Sequence, residues 1–272
     1  MKKTLLILAL TTSALLLQKA DAAAGEFPFG DGEKLQYTVH YKYGISADIV
    51  SVTAKGSLEG DRYHVVADMN TFKFWDSFYK MRDHYETTFR YSGAMLPVSA
   101  MRDVKEGGYW AKCNFTWGSD PKSVHCVLDK KDKPHRDTVL RDAREIRDIF
   151  NLIYYCRAVD YDNLEDGGQV LTAMAMDRVM YHVTIRQAGR ERKKVEGEWW
   201  NTVKLVISIS SGGREESESM TAIDDGPGKL VFWVSDDSNR IPVMFSVNMK
   251  IGAVQGRLTG LEGNKYPLDS KE

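Results

Sequence analysis

Six histidines, three cysteines and a scatter of carboxylates are the groups in this 272-residue sequence that could do chemistry. His40, His64, His84, His125, His135 and His182 lie in separate segments, and no pair has the spacing by which one helix face presents two metal ligands. His125 precedes Cys126, which suggests thiol activation, but adjacent residues of a strand face opposite ways. The acidic turns Asp224-Asp225 and Asp236-Asp237-Ser238-Asn239 could hold calcium. The second lacks the Gly and terminal Glu of a calcium-binding loop, and turn formation alone accounts for both. Asp76, Asp83 and Glu86 could furnish paired carboxylates for glycoside hydrolysis, a chemistry set by a separation that sequence does not specify. G-x-S-x-G, H-E-x-x-H, G-x-G-x-x-G and phosphate-loop patterns are absent. No catalytic residue, metal site or cofactor is therefore assigned.

Two constellations remain. The first is T-F-K-F-W-D-S-F-Y-K-M at residues 71–81, with Phe72, Phe74, Trp75, Phe78 and Tyr79 as candidate ligand-binding residues. Phe72, Trp75 and Phe78 or Tyr79 recur at helical spacing, whereas Phe72 and Phe74 also suit a strand. Such a stretch could close over a ligand, touch a membrane interface, or plug one end of a barrel, the last being the ordinary structural role. The second is Cys113 and Cys126, on two strand-like stretches around Gly118-Ser119-Asp120-Pro121. A turn centred between Ser119 and Asp120 sets them opposite each other, with Cβ atoms about 4.5–5.5 Å apart before any bridge closes. A disulfide is expected in an oxidising compartment; a turn centre shifted by one residue favours two reduced, buried thiols. Cys156 is left over, on a helix, as a buried structural residue.

The compartment follows from the first residues. Met1-Lys2-Lys3, an apolar run at 4–17 and the small-x-small sites Ala20-Asp21-Ala22 and Ala22-Ala23-Ala24 compose a secretory signal peptide, taken as residues 1–24. Gln18 and Lys19 cut the run short of the roughly 20 apolar residues of a membrane anchor. No cysteine near the cleavage sites supports lipidation. Loss of Lys2, Lys3, Lys19 and Asp21 takes 37 basic and 38 acidic residues to 34 and 37, a net charge of about −3. That balance supplies no basic field for nucleic acid. Residues 25–272 suffice for a single β-rich exported domain of the periplasm or outer envelope. Oligomeric state is not encoded in any pattern found.

The elements that must position these residues are mostly strands. Leu35, Tyr37, Val39 and Tyr41 alternate with polar residues, and meander-like runs continue to about residue 128. Residues 130–137, K-K-D-K-P-H-R-D, form a charged loop, either solvated or a basic contact patch. Asp142 with Glu145 resembles a capping box, opening a helix whose apolar face is Ile146, Ile149, Phe150, Ile153 and Tyr154 and whose polar face is Arg147, Asp148 and Asn151. It should pack on the concave or open face of the sheet. The polar run 214–219 is a turn or an edge strand. Beyond Lys229 come three antiparallel strands, with Gly252 and Gly256 marking a bend or bulge. About twelve strands and one or two helices define a mainly β fold, a large curved antiparallel sheet or incomplete β-barrel with one principal packed helix.

Three segments carry a family resemblance: G-E-K-L-Q-Y-T-V-H-Y at 32–41, R-D-I-F-N-L-I-Y-Y-C-R at 147–157 and V-F-W-V-S-D-D-S-N-R-I-P-V at 231–243. The chain resembles the bacterial exported family known as domain of unknown function 3108, over roughly residues 26–262. The resemblance implies an exported β-rich protein similar to the half-barrels that chaperone lipoproteins across the periplasm. It is uninformative about activity, no catalytic residues being established for the family. Lipoprotein members carry a lipidation cysteine that this chain lacks. The expected function is a noncatalytic periplasmic protein binding a lipid, another apolar or amphipathic ligand, or an envelope partner. A secreted hydrolase of glycans or peptides, which would need a cleft with converging carboxylates or a nucleophile–base pair, and a structural or assembly protein of the envelope are the alternatives.

Overall fold

Period-two alternation builds almost all of the chain. In the computed structural model, which describes residues 27–43, 45–161, 163, 168–211, 228–248 and 253–272, the first arm of the sheet is β1 (Lys34–Tyr43), β2 (Ile45–Glu59), β3 (Arg62–Thr71), β4 (Arg82–Arg90), β5 (Pro97–Glu106), β6 (Tyr109–Trp117), β7 (Ser123–Lys130) and β8 (Arg136–Arg141). The short β9 (Ile146–Arg147) leads into helix α1 (Ile149–Ala158). The second arm is β10 (Gln169–Met176), β11 (Val179–Val195), β12 (Glu198–Ser211), β13 (Gly228–Ser235), β14 (Pro242–Asn248) and β15 (Ala253–Glu262). The proposed leader, the 214–219 run, Asp224-Asp225 and Gly252 lie outside the described residues. β6 illustrates the driving force: Ala111, Cys113, Phe115 and Trp117 are buried while Trp110, Lys112, Asn114 and Thr116 face out. Each large apolar side chain removed from water contributes about 1.5–3 kcal/mol.

The strands form one 15-stranded sheet in the order β8-β7-β6-β5-β4-β3-β2-β1-β15-β14-β13-β12-β11-β10-β9, antiparallel except for the β9–β10 pair. β1 lies between β2 and β15, so the two arms join where the first and last strands meet. Gly256 of β15 is opposite Phe245, whose ring lies 2.1 Å from where a Cβ would stand. Glycine there admits the ring within a regular strand, rather than marking the bulge expected from sequence.

The arms are closed on each other without a continuous ladder. The β10–β11 turn reaches the opposite arm, where Arg102 of β5 pairs with Asp177 at 2.6 Å and Cys126 donates to the Asp177 carbonyl at 2.9 Å. Arg178 reaches Thr138 of β8, and the Ile146 backbone bonds both Pro121 and Trp117.

α1 fills the enclosed space. It packs on β4 and β10, strands far apart in the sheet, and Phe150 to Arg157 are almost entirely buried on every side. The helix begins later than the Asp142–Glu145 pattern predicts. Asp148 is the N-cap, its carboxylate accepting from the Phe150 and Asn151 N–H groups at 3.0 Å and from the Thr87 hydroxyl at 2.8 Å. Asp142 instead closes a turn onto the Arg144 N–H, while the Glu145 carbonyl accepts from Ala173 and the Ile146 N–H bonds Pro121. Tertiary backbone pairing thus replaces the anticipated first helical turn. Arg147, Asp148 and Asn151 are correspondingly buried rather than solvated.

Candidate functional site

The three family-like segments meet at one point inside the barrel. Glu33 precedes β1, Arg157 stands on the last turn of α1, and Asn239 lies in the β13–β14 turn. Arg157 grips Glu33 with two bonds of 2.7 Å and also donates to the Asn239 and Pro28 carbonyls at 3.0 and 3.2 Å. Both charged side chains are fully buried. Tyr154 donates to the same carboxylate at 3.2 Å, and Phe29 and Tyr154 pack edge to face at 4.7 Å. Burial alone would lower the Arg157 pKa, but the Glu33 carboxylate outweighs it and holds the guanidinium above its ordinary value. This geometry binds three parts of the chain together and offers no opening to a substrate.

The sequence-nominated residues divide sharply. Asp236-Asp237-Ser238-Asn239 is a connector: Asp237 accepts from Ser235, Ser270 and the Asn239 N–H, and Asn239 holds Tyr266 and Pro267. Beside it lies a cavity of about 260 Å³ lined by Tyr161, Arg190, Asp236, Asp237 and Arg240 among others, a polar recess in which Arg190 pairs with Asp236 at 2.9 Å. A second cavity, about 20 Å³ against Tyr85, Arg102 and Phe150, is the size of a water molecule. The aromatic candidates line neither.

Asp76 is clamped by Arg82 and Thr71 at 2.5 and 2.6 Å, and these bonds hold its pKa below the ordinary carboxylate range. Glu86 accepts from the His84 ring at 3.0 Å, whose other nitrogen faces Asp68 at 2.7 Å. Asp83 is buried; burial, then the Glu106 side chain, pushes its pKa up to about 7. The three are not gathered around a common cleft. His125 pairs with Asp137 on the outer face, away from the buried Cys126.

Cys113 pairs in register with Leu128, and Cys126 with Phe115. The turn is therefore centred one residue later than expected, which shifts partners by two and keeps both cysteines on one face. Their sulfurs are 3.3 Å apart as thiols in this structure, diagonal rather than directly opposite. The hydrogen bond between them, with burial, raises the Cys113 pKa far above its usual value. Burial pushes the Cys156 thiol up to about 12, which disfavours the thiolate that a nucleophile requires.

Residues 72–79 are neither long helix nor strand, nor do they plug the barrel; α1 occupies that space. They form a loop around a short 3-10 turn, Trp75–Ser77. Phe74 is 69% exposed and Phe78 75%, with Phe72 and Tyr79 also exposed and Trp75 half-buried. The loop is nevertheless pinned. Trp75 donates to the Asp48 carbonyl at 2.7 Å, Phe72 N–H to Ile49, and Tyr79 to Glu106 at 3.0 Å, while Arg82 and Thr71 hold Asp76 from below. The rings of Phe74, Trp75 and Phe78 stand 5.0–6.1 Å apart as one cluster. Sequence spacing identified these residues; their exposure was a tertiary outcome.

A curved antiparallel sheet closed around a buried helix, with an aromatic loop at its rim, defines a β-barrel-like protein. The chain belongs to the family described as Protein of unknown function (DUF3108), whose model matches residues 36–259. Among solved structures it is similar to a β-barrel-like protein of domain of unknown function DUF1849 from Brucella abortus, with 10% identity, a TM-score of 0.54, and coverage of 88% of this chain and 99% of that one. At that identity the likeness is one of fold. Looser matches are a Bacteroides fragilis protein with a YmcC-like fold (9% identity, TM-score 0.34, 88% and 99% covered) and Mycobacterium tuberculosis lipoprotein LppX (13%, 0.24, 87% and 89%). No curated protein matches the sequence. Among the described residues, no helix is long and apolar enough to cross a membrane.

Proposed function

We propose that this protein is a noncatalytic binding protein of the periplasm that holds an apolar or amphipathic partner against residues 72–79. The observation that carries this reading is the exposure of Phe74 and Phe78 on a loop pinned from several sides. Two such rings in water are costly, and burying each against a partner recovers about 1.5–3 kcal/mol. A pinned loop also loses little conformational entropy on binding.

The test is a photoreactive amino acid placed at Phe78 in the exported protein, irradiated in intact cells, with a second at the outward-facing Thr88 as the control. A lipid or a defined envelope protein crosslinked from position 78 and not from position 88 is expected. Equal, indiscriminate labelling from both positions would sink the reading.

A further inference from the structure

The aromatic loop is one part of a larger rim. The β3–β4, β5–β6 and β7–β8 connections all open at the same end of the sheet, and hydrogen bonds join them in sequence. Gly107 N–H donates to the Lys80 carbonyl at 2.9 Å and Tyr79 to Glu106 at 3.0 Å, tying the first connection to the second. Lys131 donates from its ammonium to Gly108 at 2.8 Å and from its backbone to Trp110 at 3.0 Å, tying the second to the third. The rim therefore presents Phe72, Phe74, Phe78, Tyr79 and Trp110, all exposed, beside the basic 130–136 loop.

Its charges are unevenly matched. Asp76 is paired with Arg82 and Asp129 with His135, while Glu106 accepts from the neutral Tyr79 hydroxyl and keeps its charge. Among the described residues, the exposed ammonium groups of Lys73, Lys80 and Lys133 form no direct ion pair, Lys80 standing in the field of the Arg82-bound Asp76. Asp132 and the His125-bound Asp137 are the opposing charges of the 130–137 loop. A protein of slightly negative net charge thus concentrates free positive charge around its exposed aromatic rings. Aromatic rings settle at the headgroup level of a bilayer, and lysines beside them are drawn to anionic lipid.

We propose that this rim docks on an anionic lipid bilayer, Phe74 and Phe78 entering the interface while Lys73, Lys80 and Lys133 face the headgroups. This deepens the function proposed above and rests on it. The lysines would supply long-range attraction and the rings the salt-resistant part of binding, an arrangement that needs no covalent anchor.

Sedimentation of the purified protein with vesicles tests the proposal, using phosphatidylethanolamine mixed with phosphatidylglycerol and, separately, neutral phosphatidylcholine. Binding to the anionic vesicles and at least about tenfold weaker binding to the neutral ones is expected, diminishing with salt. F74S/F78S should weaken anionic-vesicle binding about tenfold or more without changing the circular dichroism spectrum or melting temperature, since both rings are largely solvated. K73E/K80E/K133E should weaken it by a similar factor and flatten the salt dependence. Equal binding to both vesicle types, or wild-type binding by the folded phenylalanine variant, would overturn the proposal. A protein crosslinked from position 78 without any vesicle binding would overturn membrane docking and leave the broader reading standing.

Discussion

Glu33 and Arg157 are 124 residues apart and meet with both side chains fully buried. Such a pair gains little over well-packed apolar residues, because desolvation consumes much of the Coulomb attraction, yet removing one partner leaves a buried charge uncompensated. Glu33→Gln is expected to lower the unfolding free energy by about 3–5 kcal/mol in urea titrations; a change below about 1 kcal/mol would show that the pair does not hold the helix in place. The cysteines give a second test at this scale. The shifted turn sets Cys113 and Cys126 diagonally as thiols, yet their sulfurs stand 3.3 Å apart on one sheet face. In an oxidising compartment the two thiols are therefore expected to pass two protons and two electrons to a disulfide-bearing oxidant. Protein isolated without reductant and then unfolded should show one reactive thiol, from Cys156. Three would refute the bridge.

The β4–β5 hairpin shows how an element can carry a pH response. Asp83 on β4 accepts from the Lys105 N–H of β5 at 3.0 Å and lies beside Glu106, beneath the loop that Tyr79 ties down. Burial raises its folded pKa to about 7, whereas an unfolded aspartate titrates near 3.9. The folded chain therefore binds the extra proton across that interval. Asp83 favours folding least above pH ~7, and the penalty vanishes below pH ~4. Asp83→Asn should remove this penalty, so the difference in melting temperature between variant and wild type should grow from pH 4.5 to 7.5. A constant difference would mean that Asp83 is ionised throughout.

At the scale of the whole molecule, closure depends on the chain's last residues as well as on the sheet. The Asn239 side chain donates to the Tyr266 and Pro267 carbonyls at 2.9 and 2.8 Å and accepts from the Tyr266 N–H at 2.8 Å, while its own carbonyl receives Arg157. Asn201 N–H donates to the Ser270 carbonyl and Glu272 N–H to the Trp199 carbonyl, sewing the same segment to β12. Asn239→Ala removes three part-buried hydrogen bonds that hold Tyr266 and Pro267, while the Tyr266 carbonyl retains the Asn264 side chain. A loss of about 2–4 kcal/mol is expected, together with faster proteolysis of residues 263–272. An unchanged cleavage rate would mean that the segment is held by β12 alone.

Alternation made the β-rich class legible from sequence because it is local: successive Cβ atoms of a strand point to opposite faces wherever that strand ends up. The three C-terminal strands and the first hairpins were visible for that reason, and the apolar stripe of α1 from the equally local 3.6-residue period of a helix. Register was less so. Moving the centre of the turn after Trp117 by one residue takes Cys113 from opposite Cys126 to opposite Leu128, and local polarity hardly distinguishes the two. The start of α1 was decided by Pro121 and Ala173, which claim backbone groups of Glu145 and Ile146 from elsewhere in the sheet. Likewise the pattern of residues 71–81 named the aromatic cluster and left its direction open, since whether a ring is plug or rim depends on what else fills the barrel. Glu33, Arg157 and Asn239 stood within the family-like segments of the sequence, but their meeting is a property of the closed fold: burial of an ion pair requires partners on three separate elements, and only packing brings those together.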